Sequence, residues 1–223
     1  MSLTRLDEAA RELRLRYGNL PRWGEPHAWK TLVRLVAARG LREDVWELRW
    51  RDLEESPLQS AEGTAACSLA EIIELLTPLG RAKQTAPTLL GLARWWNAKL
   101  ETDGEVNWQR PLEELQEELR QIRGVSIELA DRVLLFVGER TVFPVDRAAM
   151  RIVCRHGWLG PEADYEEWQS FFASGVAGTE TDLQSLSLWM GKVGEEHCGP
   201  RPRCEGCPLQ PLLPEGGPYE PDP

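Results

Sequence analysis

Three cysteines fall within ten residues, Cys198, Cys204 and Cys207. In a chain with five cysteines such clustering is improbable by chance, and thiolates at this spacing point to a metal centre. A second candidate is Asp146, which follows Val142-Phe143-Pro144-Val145 and precedes the arginine-rich stretch Arg147 to Arg155. By residue type and place it reads first as a helix N-cap. A third is the turn Arg123-Gly124-Val125-Ser126, set between two helical patterns. Glycine permits a close or left-handed backbone there, and the helix that follows presents N–H groups and a positive dipole end suited to one phosphate. An ordinary helical hairpin is the plainer reading of that turn taken alone.

The elements that must position these groups are helical. Leu41, Val45 and Leu48, and then Trp46, Trp50 and Leu53, recur three or four apart. Ser68 with Glu71 three residues on predicts a capping box at the start of a helix. Pro87 and Pro111 are each placed to begin a helix at its first position. The one β-rich stretch, Thr141 to Val145, is interrupted by Pro144. An all-α fold with no internal repeat is therefore expected. Of ten tryptophans, Trp46, Trp50, Trp95, Trp96 and Trp189 sit in helical patterns and are expected to be core.

A helix–turn–helix with Gly-Val at its turn, an apolar second helix, then Pro-Val-Asp and an arginine five residues later is a specific arrangement. It resembles the helix-hairpin-helix (HhH-GPD) DNA glycosylases of the endonuclease III superfamily, weakly from Leu13 and strongly from Leu112 to Leu209. The resemblance implies two helical lobes with DNA bound in the cleft between them. One is a helical barrel over 26–140, with the helix-hairpin-helix at about 112–137. The other joins residues 1–25 to 141–213 and carries an iron–sulfur loop, followed by a disordered tail at 214–223. It also implies that Asp146 is the catalytic carboxylate, stabilising an oxocarbenium-like transition state or activating water after the base is flipped out. Arg123, Gly124, Val125 and Ser126 become the backbone clamp on double-stranded DNA carrying damaged bases.

Departures from the family pattern narrow the expected chemistry. Glu128 stands where bifunctional members carry the lyase lysine, and a carboxylate cannot form a Schiff base with the sugar. The expectation is a monofunctional base-excision-repair glycosylase, similar in this respect to the 3-methyladenine DNA glycosylase III branch. A catalytically weak relative that binds damaged or abasic DNA is the alternative, and Glu128 could equally be a solvated surface carboxylate. Arg39 and Arg81 occupy the places of the gap-filling glutamine and the wedging leucine; each could contact DNA or be solvated charge.

The cysteine run is similar to the family's loop Cys-x6-Cys-x2-Cys-x5-Cys, but its first gap is one residue short and Leu213 falls near the last cysteine. The resemblance implies a [4Fe–4S] cluster held by Cys198, Cys204 and Cys207, with Cys154 the expected fourth ligand because it lies one turn beyond Arg151. His197 or His156 is a less usual substitute, and zinc is the metal alternative. Arg201 and Arg203 on this loop could face phosphates or be solvated charge.

Composition fits this reading less directly. A net charge of −10 argues against a nucleic-acid partner for the chain as a whole. Yet Arg120 to Arg155 holds seven arginines against four acids, so a local basic face and strong salt sensitivity are expected. No apolar run approaches the roughly 20 residues that span a bilayer, and the charged N-terminal stretch lacks a signal-peptide core. An intracellular, nucleoid-associated monomer with no membrane partner is the expectation.

Overall fold

Capping residues start several of the helices. In the computed structural model, which describes residues 5–20, 28–38, 41–102, 104–176 and 182–219, Ser68 and Glu71 form the reciprocal capping box that opens α5 (Leu69–Leu76). The other α-helices are α1 (Arg5–Tyr17), α2 (Ala28–Ala37), α3 (Glu43–Asp52), α4 (Ala61–Ala66), α6 (Ala82–Lys99), α7 (Leu112–Arg120), α8 (Ile127–Phe136), α9 (Arg147–Arg155), α10 (Tyr165–Gly175) and α11 (Leu183–Glu196). Among the described residues the only β features are the isolated bridges Leu100–Val106 and Cys198–Pro202. None of their helices is long and apolar enough to cross a membrane.

The chain divides into two compact units, residues 23–140 and residues 1–22 with 141–223. In the first, α6 is the central helix and packs against α2, α4 and α5. Ala86, Leu89, Leu92 and Ala93 are fully buried along it, each buried leucine contributing about 1.5–3 kcal/mol of burial free energy. Pro87, expected at the first helical position, lies inside α6, which begins five residues earlier at Ala82. The helix loses one hydrogen bond there, and its buried face compensates for it.

Of the two stripes read over 41–53, the aromatic one is the core face. Trp46, Trp50 and Leu53 are buried, while Val45 and Leu48 are exposed. Trp95, Trp96 and Trp189 are buried as well. Trp96 meets both Trp29 and Trp108 edge-on, so much of the tryptophan excess forms one aromatic cluster in this unit.

The second unit closes the chain's ends on one another. α1 packs against α10 and α11, and the Trp189 indole donates to the Gly18 carbonyl at 3.0 Å. α9 crosses α11 where Gly194 faces Ala148; a Cβ at 194 would stand 2.5 Å from that of Ala148. Among the described residues, the stretch before Asp146 pairs with no strand. Gln169 takes the strand's place, accepting from the Phe143 N–H at 3.1 Å and donating to its carbonyl at 2.6 Å.

Of the residues expected to be tail, Tyr219 lies against the end of α9. The Tyr219 N–H donates to the Arg155 carbonyl at 2.9 Å, and its ring covers Gly157, where a Cβ would come within 2.4 Å of it.

Candidate functional site

α7 and α8 form the hairpin. Leu115, Leu119, Val133 and Leu134 are buried along it, and Gln116 donates across it to the fully buried Asp131 at 2.7 Å. Gly124 adopts φ +87°, and a Cβ there would stand 2.1 Å from Thr88 Oγ1. Both the left-handed backbone and the close approach require glycine. Ser126 caps α8 by accepting from the Leu129 N–H at 3.1 Å. Arg123, Gly124 and Ser126 are exposed, whereas Val125 turns inward and its N–H donates to the Ile122 carbonyl at 3.0 Å. Val125 thus anchors the turn, and its neighbours form the surface.

Glu128, in the first turn of α8, is ion-paired with Arg132. Its side chain is only 16% exposed, so it is a mostly covered, paired carboxylate. Arg81 is exposed and left-handed at φ 52°, just before α6, with Nε donating to Gln84 at 2.9 Å. A positive φ on a non-glycine residue is uncommon and holds this side chain at the tip of the Thr77–Arg81 turn. Arg39 lies outside the described residues.

In the other unit Asp146 is the N-cap of α9, its Oδ1 accepting from the Ala149 N–H at 2.8 Å. The cap bond and the buried Val142, Phe143 and Val145 before it fix a half-buried carboxylate at the helix's positive end. Such anchoring is what a charge-stabilising group requires, and the N-cap reading holds alongside it.

From α9 two arginines reach the cysteine loop. Arg151 Nε donates to the Cys198 carbonyl at 3.0 Å. The buried Arg155 donates to Cys198 Sγ at 3.3 Å and to the carbonyls of Gly199 and Pro200 at 2.7 and 2.8 Å. Cys198, Cys204 and Cys207 line one cavity together with Arg155, His156 and His197. Burial pushes the Cys207 thiol above its ordinary range, and the neighbouring Cys198 and Cys204 push it further. Among the described residues no three His, Cys, Asp or Glu side chains are grouped to hold a single metal ion. A cubane cluster does not ask for that convergence, because each of its protein ligands binds a different iron.

Cys154 is not brought to this cavity. It sits about 100° round α9 from Arg155, half-buried, its thiol raised by burial and by Glu162. Arg201 is exposed on the loop, and Arg203 lines the cavity and donates to the Glu195 carbonyl at 3.3 Å. The loop-holding role of Arg155 was not singled out from sequence; its i, i+4 spacing from Arg151 is the signal that could have marked it.

Comparisons with known proteins follow the same lines. No family model matches the chain. A Methanocaldococcus jannaschii protein provisionally named a DNA repair glycosylase is 29% identical over 99 residues, 43% of this chain and 44% of that one. Endonuclease III of Sulfolobus acidocaldarius is 27% identical over 114 residues, 51% of this chain and 50% of its own. The chain thus spans about half the length of the curated relatives it matches. Among solved structures, a non-covalent endonuclease III–DNA complex superposes with TM-score 0.68 at 18% identity, covering 95% of each chain. A thermostable thymine-DNA glycosylase gives TM-score 0.68 at 17% identity, covering 93% and 92%. An H. pylori 3-methyladenine DNA glycosylase bound to 1,N6-ethenoadenine gives 0.64 at 19%, covering 86% and 96%. The chain has the endonuclease III fold.

Proposed function

We propose that this protein is a base-excision-repair DNA glycosylase that hydrolyses the N-glycosidic bond of a flipped, damaged base in duplex DNA without a lyase step. The observation that carries the reading is Asp146, a half-buried carboxylate locked by its own helix cap at the end of the Pro-Val-Asp motif. Held there, it stabilises the oxocarbenium-like sugar or orients the attacking water. The exposed hairpin residues Arg123, Gly124 and Ser126 grip one DNA backbone through main-chain N–H groups and charge. Arg81, at a turn tip, is a candidate for the space left by the extruded base. One fold neighbour is an endonuclease III in complex with DNA and another is a glycosylase bound to a modified base, which supports this partner class.

Glu128 stands where a Schiff-base lysine would be needed and is itself neutralised by Arg132. The base is therefore released by attack of water on the sugar, with no covalent enzyme–sugar intermediate. Cys198, Cys204 and Cys207 would hold a [4Fe–4S] cluster. The donor set fits: three thiols share one cavity, the Arg155 guanidinium donates to one of the sulfurs, and a buried imidazole nitrogen there has no hydrogen-bond partner. When bound, the cluster would tie the turns of the 198–207 loop to one another. The test is a lesion panel with the purified holoprotein, separating released bases by chromatography. A free damaged base with an intact abasic strand is expected. Strand cleavage with a borohydride-trapped adduct would overturn the monofunctional reading. No release from any lesion, with DNA affinity unchanged in Asp146→Ala, would leave a binding protein instead.

A further inference from the structure

The three thiols leave a four-ligand cluster one donor short, and the cavity wall holds a candidate. His197 precedes Cys198, and the two ends of its loop pair twice. The Arg203 N–H donates to the His197 carbonyl at 2.8 Å, and His197 Nδ1 lies 3.2 Å from the Arg203 carbonyl. A carbonyl only accepts, so Nδ1 is the donor, and in the neutral ring the lone pair sits on Nε2. Nε2 is buried and has no hydrogen-bond partner. The nearest carboxylate oxygen, Glu196 Oε2, is 3.9 Å away and already accepts from the Tyr17 hydroxyl at 2.9 Å. A buried nitrogen without a hydrogen-bond partner is costly in an ordinary protein interior. It is the arrangement found where an imidazole binds metal with its other nitrogen fixed by a main-chain carbonyl.

The other neighbours do not offer this. Both His156 nitrogens face main-chain carbonyls, of Ile152 at 2.6 Å and Leu209 at 3.2 Å. Leu213 lines the cavity but has no donor atom. Gln210 turns its amide oxygen to the Gly206 N–H at 3.3 Å. Cys154 is outside the lining.

We infer that His197 Nε2 is the fourth protein ligand, completing a Cys3His set with Cys198, Cys204 and Cys207. The inference rests on the cluster reading above. The three cysteines give up their protons on binding; His197 gives only a lone pair and releases none. The site therefore carries three ligand negative charges rather than four, which raises the reduction potential relative to an all-thiolate site.

The experiment uses anaerobically purified holoprotein, with iron and sulfide analysis and pulsed EPR of the reduced cluster. Wild type is expected to bind four irons and show a strong 14N coupling from a directly bound imidazole. Cys154→Ser should keep both. His197→Ala should lose the coupling and a substantial fraction of its iron. His197→Cys should restore the iron without the nitrogen signal and lower the reduction potential. A four-iron wild type without 14N coupling, or iron lost in Cys154→Ser but not in His197→Ala, overturns the ligand assignment alone. Wild type that binds no iron and sulfide, or binds only zinc, overturns the cluster reading and the inference with it.

Discussion

Arg155 Nη1 donates to Cys198 Sγ at 3.3 Å from a buried position on α9. The same guanidinium also holds the carbonyls of Gly199 and Pro200, so one side chain fixes both the backbone path of the loop and the charge beside its first sulfur. Lysine cannot reproduce a planar three-way donation. Arg155→Lys is expected to lose about 2–4 kcal/mol in chemical denaturation and to bind less iron. Unchanged stability and iron would show that the loop holds itself.

Asp146 is both cap and candidate catalyst, and two substitutions separate those roles. Asn caps a helix as well as Asp. Asp146→Asn should stay within a few tenths of a kcal/mol of wild-type stability while base release falls about 100-fold or more. Asp146→Ala should lose the same activity and, in addition, about 1 kcal/mol of stability. Single-turnover base release beside thermal unfolding measures both. An active Asp146→Asn would reduce the carboxylate to its capping role.

Local, short-range features were legible in the sequence. Ser68 and Glu71 announce their helix because the reciprocal bonds span three residues. The Trp46, Trp50 and Leu53 stripe marks a core face because side chains that bulky can scarcely be anything else. What depends on orientation was harder to read. Pro87 looks like a helix start until the five residues before it are seen to be helical. Cys154 has suitable spacing along α9, but its direction around the helix decides what it can reach. Tyr219 belongs to a proline-rich end whose composition suggests disorder, and its contact with Gly157 is visible only in three dimensions. His197 is a neighbour of Cys198 in any reading; only the Arg203 carbonyl shows which of its nitrogens is engaged by the main chain.

Gly124 meets two independent demands, and a double substitution divides them. Gly124→Ala places a methyl against Thr88 Oγ1 and forces a positive φ, for a combined cost on the order of 2–3 kcal/mol. Adding Thr88→Ala removes the collision and should recover part of that, leaving about 1 kcal/mol of backbone strain. On the proposed reading, in which the hairpin contacts phosphate rather than base edges, the single variant should weaken binding to damaged and undamaged duplexes by the same factor. Fluorescence anisotropy across both duplexes and several salt concentrations checks this. A loss confined to damaged DNA would assign the turn to lesion recognition.

Glu118 gives a pH dependence that belongs to the fold and not to the chemistry. Its carboxylate accepts from Arg110 at 2.7 Å, from Lys99 at 2.8 Å and from the Trp95 indole at 3.1 Å. Arg110 chiefly, with help from Lys99 and Trp95, holds it down to about 2 against the opposing effect of burial. The folded value lies below the unfolded value of about 4.3. Its contribution is therefore complete above that pH and is lost as pH falls toward 2. The side chain is 27% exposed, so solvent screening limits the charge term to about 1–2 kcal/mol. Glu118→Gln keeps the shape and removes the charge. Denaturant titrations of both proteins at 0.15 M salt should differ by that amount at pH 7 and converge near pH 2. A gap that stays constant with pH would mean that hydrogen-bond geometry, and not charge, is what Glu118 contributes.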